Sequence, residues 1–180
     1  MELFWRRGYE GASIAELTEA MGINPPSLYA CFGSKEALFR AALDHYQAGT
    51  GGFMAEALAA PKLREGIEAL LLGAAASMTA KDCPAGCLLM QGGLATGETG
   101  APMRDELADR RRAGQEALLQ RVSQAAQAGS LPPGTDPAAL AMLLGAMLRG
   151  MAVAAADGAD RAALEGMARL ALAHLPLGGG

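Results

Sequence analysis

The stretch Ser13-Ile14-Ala15-Glu16-Leu17-Thr18-Glu19-Ala20-Met21-Gly22-Ile23-Asn24-Pro25-Pro26-Ser27-Leu28-Tyr29 reads as two short helices joined by a tight turn. Ser13 with Glu16 three residues later forms a capping box for the first helix, and Gly22 can supply the positive φ that such a turn often needs. Ile14, Leu17, Ala20, Ile23, Leu28 and Phe32 are expected to form the small core that holds the pair at a steep angle. Asn24, Ser27 and Tyr29 are then left to face outward. This is helix-turn-helix geometry, although the spacing alone is also met by any helical hairpin with a glycine in its turn.

Working outward, the chain reads as helical throughout. Ile and Val together number only five in 180 residues, which disfavours strands, and Leu and Ala recur at intervals of three and four. Ser34 opens the run Lys35-Glu36-Ala37-Leu38-Phe39, Asp136 caps another helix, and Pro102 and Pro137 stand where first-turn prolines belong. Helices are predicted near 1–8, 13–20, 24–31, 34–47, 53–59, 62–80, 84–95, 102–128, 137–156 and 160–174. All eight aromatic residues (Phe4, Trp5, Tyr9, Tyr29, Phe32, Phe39, Tyr46, Phe53) fall within the first 53 positions, and eight of the ten methionines follow position 50. The glycine-rich run Ala48-Gly49-Thr50-Gly51-Gly52 sits on that composition boundary, so the expected division is 1–48 and 49–180.

Composition narrows the setting. A chain 51% hydrophobic and 19% charged, with net charge −4 and no apolar leader behind a basic start, is expected to be soluble and cytoplasmic. Three cysteines and two histidines are too few for a disulfide framework or a zinc scaffold. The strongest candidate for a membrane span, Pro137 to Ala156, opens with proline, carries Arg149 and is mostly Ala, Gly, Leu and Met, so no membrane partner is expected. No phosphate loop, zincin motif or dinucleotide fingerprint is present, and neither a cofactor nor a metal is implied.

The residues flanking the helix pair carry a resemblance. Phe4-Trp5 and Gly8-Tyr9-Glu10-Gly11-Ala12-Ser13 before it, and Leu28-Tyr29-Ala30-Cys31-Phe32-Gly33-Ser34-Lys35-Glu36-Ala37-Leu38-Phe39 after it, closely resemble the DNA-binding domain of TetR family transcriptional regulators. The match runs from Leu3 to Leu43, and its Tyr-x-x-Phe-x-Ser-Lys-Glu-x-Leu block is highly specific. The resemblance implies an all-α fold: a three-helix helix-turn-helix domain, its first helix cut short, plus a larger helical ligand-binding and dimerisation domain. It also implies a homodimer that binds a near-palindromic double-stranded operator, blocks transcription and is released by a small-molecule effector, without enzymatic activity. Carried over by position, Ser13 resembles the residue that meets a phosphate at the start of helix 2. Ser27 and Tyr29 lie on the recognition helix, and Lys35 resembles a phosphate-binding lysine. Pro25 and Pro26 remove two backbone donors from the recognition helix, so Asn24 and Ser27 must provide more of its polar contact. Leu28, Phe32 and Cys31 are read as core.

One departure stands out. Family members carry a dozen or more residues before the Phe-x-x-Gly-Tyr segment, often with Arg or Lys for the minor groove or backbone, so the natural chain is expected to extend upstream of Met1. Residues 1–50 hold Arg6, Arg7, Lys35 and Arg40 against Glu2, Glu10, Glu16, Glu19, Glu36 and Asp44, a balance of −2. Phosphate neutralisation supplies most non-specific DNA affinity, so this balance also fits a second reading, a TetR-like ligand-binding or interaction module with weak or lost DNA binding. A third reading, an enzyme with a cysteine nucleophile, lacks any sequence partner resembling a Cys-His-Asn arrangement.

In the remainder, Leu140, Leu143, Leu144, Met147, Leu148, Met151, Ala154 and Ala155 form one stripe of a helix whose opposite side, with Met142, Ala146 and Val153, is apolar too. With Leu164, Met167, Ala168, Ala171 and Leu175 on the last helix, this predicts a symmetric four-helix interface between copies. Leu143, Met147, Met151, Leu164, Met167 and Ala171 are its candidate contacts, and Gly145, Ala146, Gly150 and Ala154 its points of close approach; internal packing within a monomer is the alternative. An aliphatic pocket between helices 62–80, 84–95 and 102–128 is expected to hold the effector, with Gln91, Arg104 or Thr96 as polar anchors. The absence of aromatic residues after Phe53 argues against flat cationic effectors. Cys83 and Cys87, four apart at a proline-marked helix start, are candidate redox or electrophile sensors because a helix N-terminus favours thiolate. A buried structural Cys87 beside an incidental exposed Cys83 is the simpler alternative, and a metal site would need His45 or His174 as well.

Overall fold

The computed structural model describes residues 1–92 and 100–178, so Thr96 lies outside the described residues. Among the described residues there are ten helices and no strand: α1 Glu2–Gly11, α2 Ile14–Met21, α3 Pro25–Phe32, α4 Lys35–Ala48, α5 Phe53–Leu58, α6 Leu63–Met78, α7 Leu88–Gln91, α8 Ala101–Gln127, α9 Pro137–Ala156 and α10 Arg161–His174. The helix signals read from the sequence act as expected. Ser13 and Glu16 form a complete capping box, the Ser34 side chain accepts the Ala37 amide, and Asp136 accepts that of Ala138. Gly22 ends α2 at φ 66°, a left-handed conformation open to glycine at little cost.

Packing divides the chain into two units, Met1–Gly51 with Cys87–Arg110, and Gly52–Gly86 with Arg111–Gly180. In the first, α1 kinks at Gly8 and buries Phe4, Trp5 and Tyr9. The Phe4 ring meets Phe39 edge-on at 4.9 Å, and Trp5 meets Tyr46 at the same distance. Such ring pairs contribute about 0.5–1.5 kcal/mol beyond area burial. The rings also have polar ends that require partners, and α7 supplies them. The Trp5 indole N–H donates to Gln91 Oε1 at 2.6 Å, and the Tyr46 hydroxyl donates to Cys87 Sγ at 3.3 Å. Leu88 is fully buried beside them, and Arg110, on the first half of α8, pairs with Asp44 of α4 at 2.7 Å. Residues 87–92 and 100–110 therefore pack with residues 1–51, a placement that composition did not reveal.

The helix predicted over 84–95 is the main local difference, with 93–95 outside the described residues. Pro84-Ala85-Gly86 forms a turn in which the Gly86 amide donates to the Met78 carbonyl at 2.8 Å, and Gly86 adopts φ 97°. The helix begins only at Leu88, so Cys83 stands outside it and Cys87 is its N-cap.

The second unit has an aliphatic core. From α6, Ile67, Leu70, Leu71, Ala74 and Ala75 are fully buried, and from α9, Leu144 and Met151. Gln115 of α8 donates through Nε2 to the Ala141 carbonyl at 2.8 Å. Its Oε1 is buried without an N–H or O–H partner and lies against Gly145, where any Cβ would collide with it. Gly145 thus serves the approach of α8 to α9 within one chain, where the sequence reading had assigned it to a partner. Helix α9 is long and apolar enough to span a membrane, but Leu140, Ala141, Leu144, Leu148, Met151, Ala152 and Ala155 are buried in the unit's own core.

Candidate nucleic-acid interface

Helix α3 is short and buries a single residue completely, Leu28. The rest of its circumference is largely open. Asn24 caps it by accepting the Ser27 amide at 2.9 Å through Oδ1, which leaves the Asn24 amino group available as a donor. Pro25 and Pro26 occupy the first turn, where their missing N–H groups cost no helical bond. Tyr29 is 47% exposed, and Ser27 is half-buried beside it. Three core assignments need correction. Cys31 is exposed, and Phe32 is only half-buried, because so short a helix covers one narrow stripe. Ala20, on the last turn of α2, is exposed for the same reason.

At the start of α2 the polar groups of Ser13 are already engaged. Its amide donates to Glu16 Oε2 at 3.0 Å, its hydroxyl donates to the same oxygen at 2.7 Å, and its Oγ accepts the Glu16 amide. Arg7 forms an ion pair with Glu16. The Ser13 donors, with Arg7 adding charge, hold the Glu16 carboxyl below the ordinary glutamate range. A carboxylate of this chain therefore occupies the anion-favouring end of α2.

Lys35 opens α4 behind the Ser34 cap. Its ammonium lies 4.6 Å from the centre of the Tyr9 ring, a cation–π contact, and it is half-buried. Burial lowers its pKa from the ordinary lysine value, with Glu36 and Glu10 opposing. The Tyr9 hydroxyl donates to Glu36 Oε1 at 2.7 Å, which fixes the ring under the lysine and, as the main cause, lowers the Glu36 pKa. Tyr9 was not singled out by sequence reasoning; an aromatic residue at that spacing gave no sign of a seat for a cation.

Charge pairing separates Lys35 from its neighbours. Arg6 pairs with Glu2, Arg7 with Glu16 and Arg40 with Glu106. Among the described residues, Lys35 is the one basic side chain of the first 50 positions without a carboxylate ion pair. The arrangement offers an exposed tyrosine and two short polar side chains on a short, largely open helix, and a lysine held on a tyrosine ring at the start of α4.

The other candidates distribute between the units. Cys87 is buried and Gln91 is engaged by Trp5, both in the first unit. Arg104, also there, is exposed and pairs with Asp105, whereas Cys83 is half-buried in the second unit. On α9, Leu143 is 48% exposed and Met147 half-buried, while on α10 Met167 is exposed and Ala171 half-buried. Met151 and Leu164 are buried in the chain's own core, so their side chains are not available to a partner. The exposed apolar stripe also includes Met142, Val153 and Leu170. Among the described residues, no group of His, Cys, Asp and Glu is arranged to hold a metal ion.

Comparison with known proteins covers both parts of the chain. Residues 1–42 match the family described as bacterial regulatory proteins, tetR family, and residues 59–171 match the tetracyclin repressor-like C-terminal domain. The HTH-type transcriptional repressor ComR of Escherichia coli (strain K12) is 35% identical over 162 residues, covering 89% of this chain and 77% of ComR. The repressor BdcR of the same organism is 37% identical over 91 residues, half of this chain and 46% of BdcR. A cysteine mutant of the TetR family transcriptional regulator CifR, solved with 26-bp double-strand operator DNA, superposes with a TM-score of 0.90 at 40% identity, covering 97% of this chain and 92% of that one.

Proposed function

Because this chain belongs to the TetR family of bacterial regulatory proteins, we propose that it is a cytoplasmic, dimeric, operator-binding repressor released from DNA by a small molecule. Helix α3 reads the major groove of a near-palindromic operator through Tyr29, Ser27 and Asn24, and Lys35 neutralises a flanking phosphate. The observation that carries this reading is the pairing of an exposed α3 face with a lysine seated on Tyr9 and spared any carboxylate ion pair. Ser13 takes part only as Glu16 yields its place at the α2 N-terminus, because the capping box occupies both of its donors.

Residues 1–48 do the reading, and 49–180 bind effector and partner. Copies pair through the outer faces of α9 and α10, with Leu143, Met147, Met167 and Ala171 in the contact. Helix α8 runs from the first packing unit into the second, which makes it the natural carrier of an effector signal. The effector is small and apolar, held by aliphatic side chains. The reading assigns the chain no catalytic role. Of the two thiols, Cys83 is the one positioned to sense an oxidant or electrophile, since Cys87 is buried under the Tyr46 hydroxyl.

A second reading, a ligand-binding module with weak or lost DNA binding, is favoured by one observation: three of the four basic side chains in residues 1–50 already have carboxylate partners. Selection from a random duplex library decides between the two. The repressor reading expects enrichment of a near-palindromic site; a protein that enriches no sequence from 50 mM salt upward is the module.

A further inference from the structure

The second unit carries a groove of about 580 Å³ that no part of the DNA-binding reading uses. It lies between the α5–α6 connection, the end of α8 and the tail that follows α10. Its charge is one-sided. Lys62, Arg64 and Arg121 line it, and no acidic residue does, in a chain whose net charge is −4.

The two guanidinium groups are held open. Arg121 Nη2 donates to the carbonyls of Ala60 and Pro61 at 3.0 and 3.2 Å, and Arg64 Nη2 donates to the Leu172 carbonyl at 3.2 Å. Each fork is thereby tethered through one nitrogen to backbone, and among the described residues neither has a carboxylate partner. The remaining N–H groups of both forks are the donors that carboxylates and phosphates use. Lys62 does have a partner, Glu65 at 3.4 Å, but both are well exposed and Glu65 does not line the groove. Gln124 and Ser130 add neutral polar groups. Leu58, Leu63 and Leu177 provide apolar wall, with Ala128 exposed at the rim. A cleft walled by protein and lined by one sign of charge concentrates ions of the other sign.

We propose that this groove is a binding site for a small amphiphilic anion, one with a carboxylate or phosphate head and a short apolar body. The head sits between Arg64 and Arg121 with Lys62 at the edge, and the body lies on the leucine wall. The volume falls within the range of ordinary ligand sites, about 300–1,000 Å³.

Calorimetry on the full chain at low salt, without DNA, tests it with decanoate and decyl phosphate as probes and decanol and decyltrimethylammonium as comparators. The expected result is saturable binding at one site for at least one of the two anions, about tenfold tighter than for decanol and weakened by added salt. Preference between the two anions identifies the head group. Ala128→Trp, which fills the groove from its exposed rim, and Arg64→Gln, which removes the charge, should each weaken binding by about tenfold or more. Circular dichroism checks that both variants fold; should Ala128→Trp fail to fold, Arg64→Gln with Lys62→Glu decides. Anion binding unchanged in the folded variants, equal binding of the cation, or no saturable binding of either anion overturns the proposal. Operator binding plays no part in this assay, so its outcome is independent of the repressor reading.

Discussion

The two packing units solve the same problem with different side chains. The first is built around aromatic rings whose polar ends are each engaged: Trp5 to Gln91, Tyr9 to Glu36, Tyr46 to Cys87. The core of the second is Leu, Met, Ala, Ile and Val, packed mainly by shape and area, with side-chain bonds such as Gln115 to Ala141 at its edge. Directional bonds set the orientation of a ring and with it the position of the helix that carries it, which suits a surface that must match DNA. An aliphatic core with methionine adapts its packing at small cost, which suits a ligand site. The first unit should therefore be brittle to loss of a ring and the second should yield to volume-conserving changes.

The largest effect should separate the inner and outer faces of α9. Met151→Glu places an unpaired charge in a fully buried position, a change of about 4–5 kcal/mol or more, and thermal melts should show an unfolded or aggregated protein. Leu143→Glu, on the exposed face, should leave the helical spectrum intact and convert the sedimenting species from dimer to monomer. A folded, dimeric Leu143→Glu protein would break the assignment of that face to the partner.

Next in size is Trp5→Ala. It removes a buried ring and leaves Gln91 without its donor, at a cost of about 3–5 kcal/mol. Chemical denaturation should report the loss. A volume-conserving change in the aliphatic core, Met151→Leu, should cost less than about 1.5 kcal/mol. Equal losses for the two would erase the contrast between a core of directed bonds and one of area.

Smaller still, and confined to the DNA surface, Lys35→Ala should reduce the slope of log K against log salt by about one unit, with similar weakening across operator variants. Fluorescence anisotropy at several salt concentrations measures it. Ser27→Ala should instead change the ranking of those variants. An unaltered slope would remove Lys35 from the interface.

The smallest effect concerns Glu16. Its carboxyl pKa is lowered in the folded state by the Ser13 donors, so the stabilisation is present above the unfolded value of about 4.3 and is lost as pH falls through the folded value. Melting temperatures of the parent should therefore drop more steeply between about pH 5 and pH 3 than those of Glu16→Gln. Parallel curves would mean that the capping box contributes nothing through its charge.

Much of the fold and part of the site could be read in advance, for reasons visible in particular residues. Ser13, Ser34 and Asp136 cap helices through bonds to amides two or three residues away, and Gly22 turns the chain on its own φ. Asn24, Ser27 and Tyr29 face outward because Leu28 fixes the inner side of α3. The seat of Lys35 on Tyr9 was not legible, since it joins positions 26 apart through the packing of α1 against α4. Nor was the surface position of Cys31, which lies within a helical turn of Leu28 and shares its apolar neighbours in sequence. The start of α7 differs from the predicted helix over 84–95 because Gly86 takes a positive φ that ends any helix starting at Pro84.

Local chemistry along the chain is enough to set the all-α class, the helix-turn-helix, the caps and the family. The tertiary structure alone decided which residues of α9 turn inward. That helix is apolar around its circumference, so no amphipathic period marks an inner side, and only its neighbours select Met151 for the core and Leu143 for the surface. The same holds for residues 87–92 and 100–110 and for the cationic groove. Trp5 and Tyr46 acquire partners from α7, and Arg64 and Arg121 come together across more than fifty residues, because burial and backbone carbonyls in space, not spacing along the chain, determine where a polar end is satisfied.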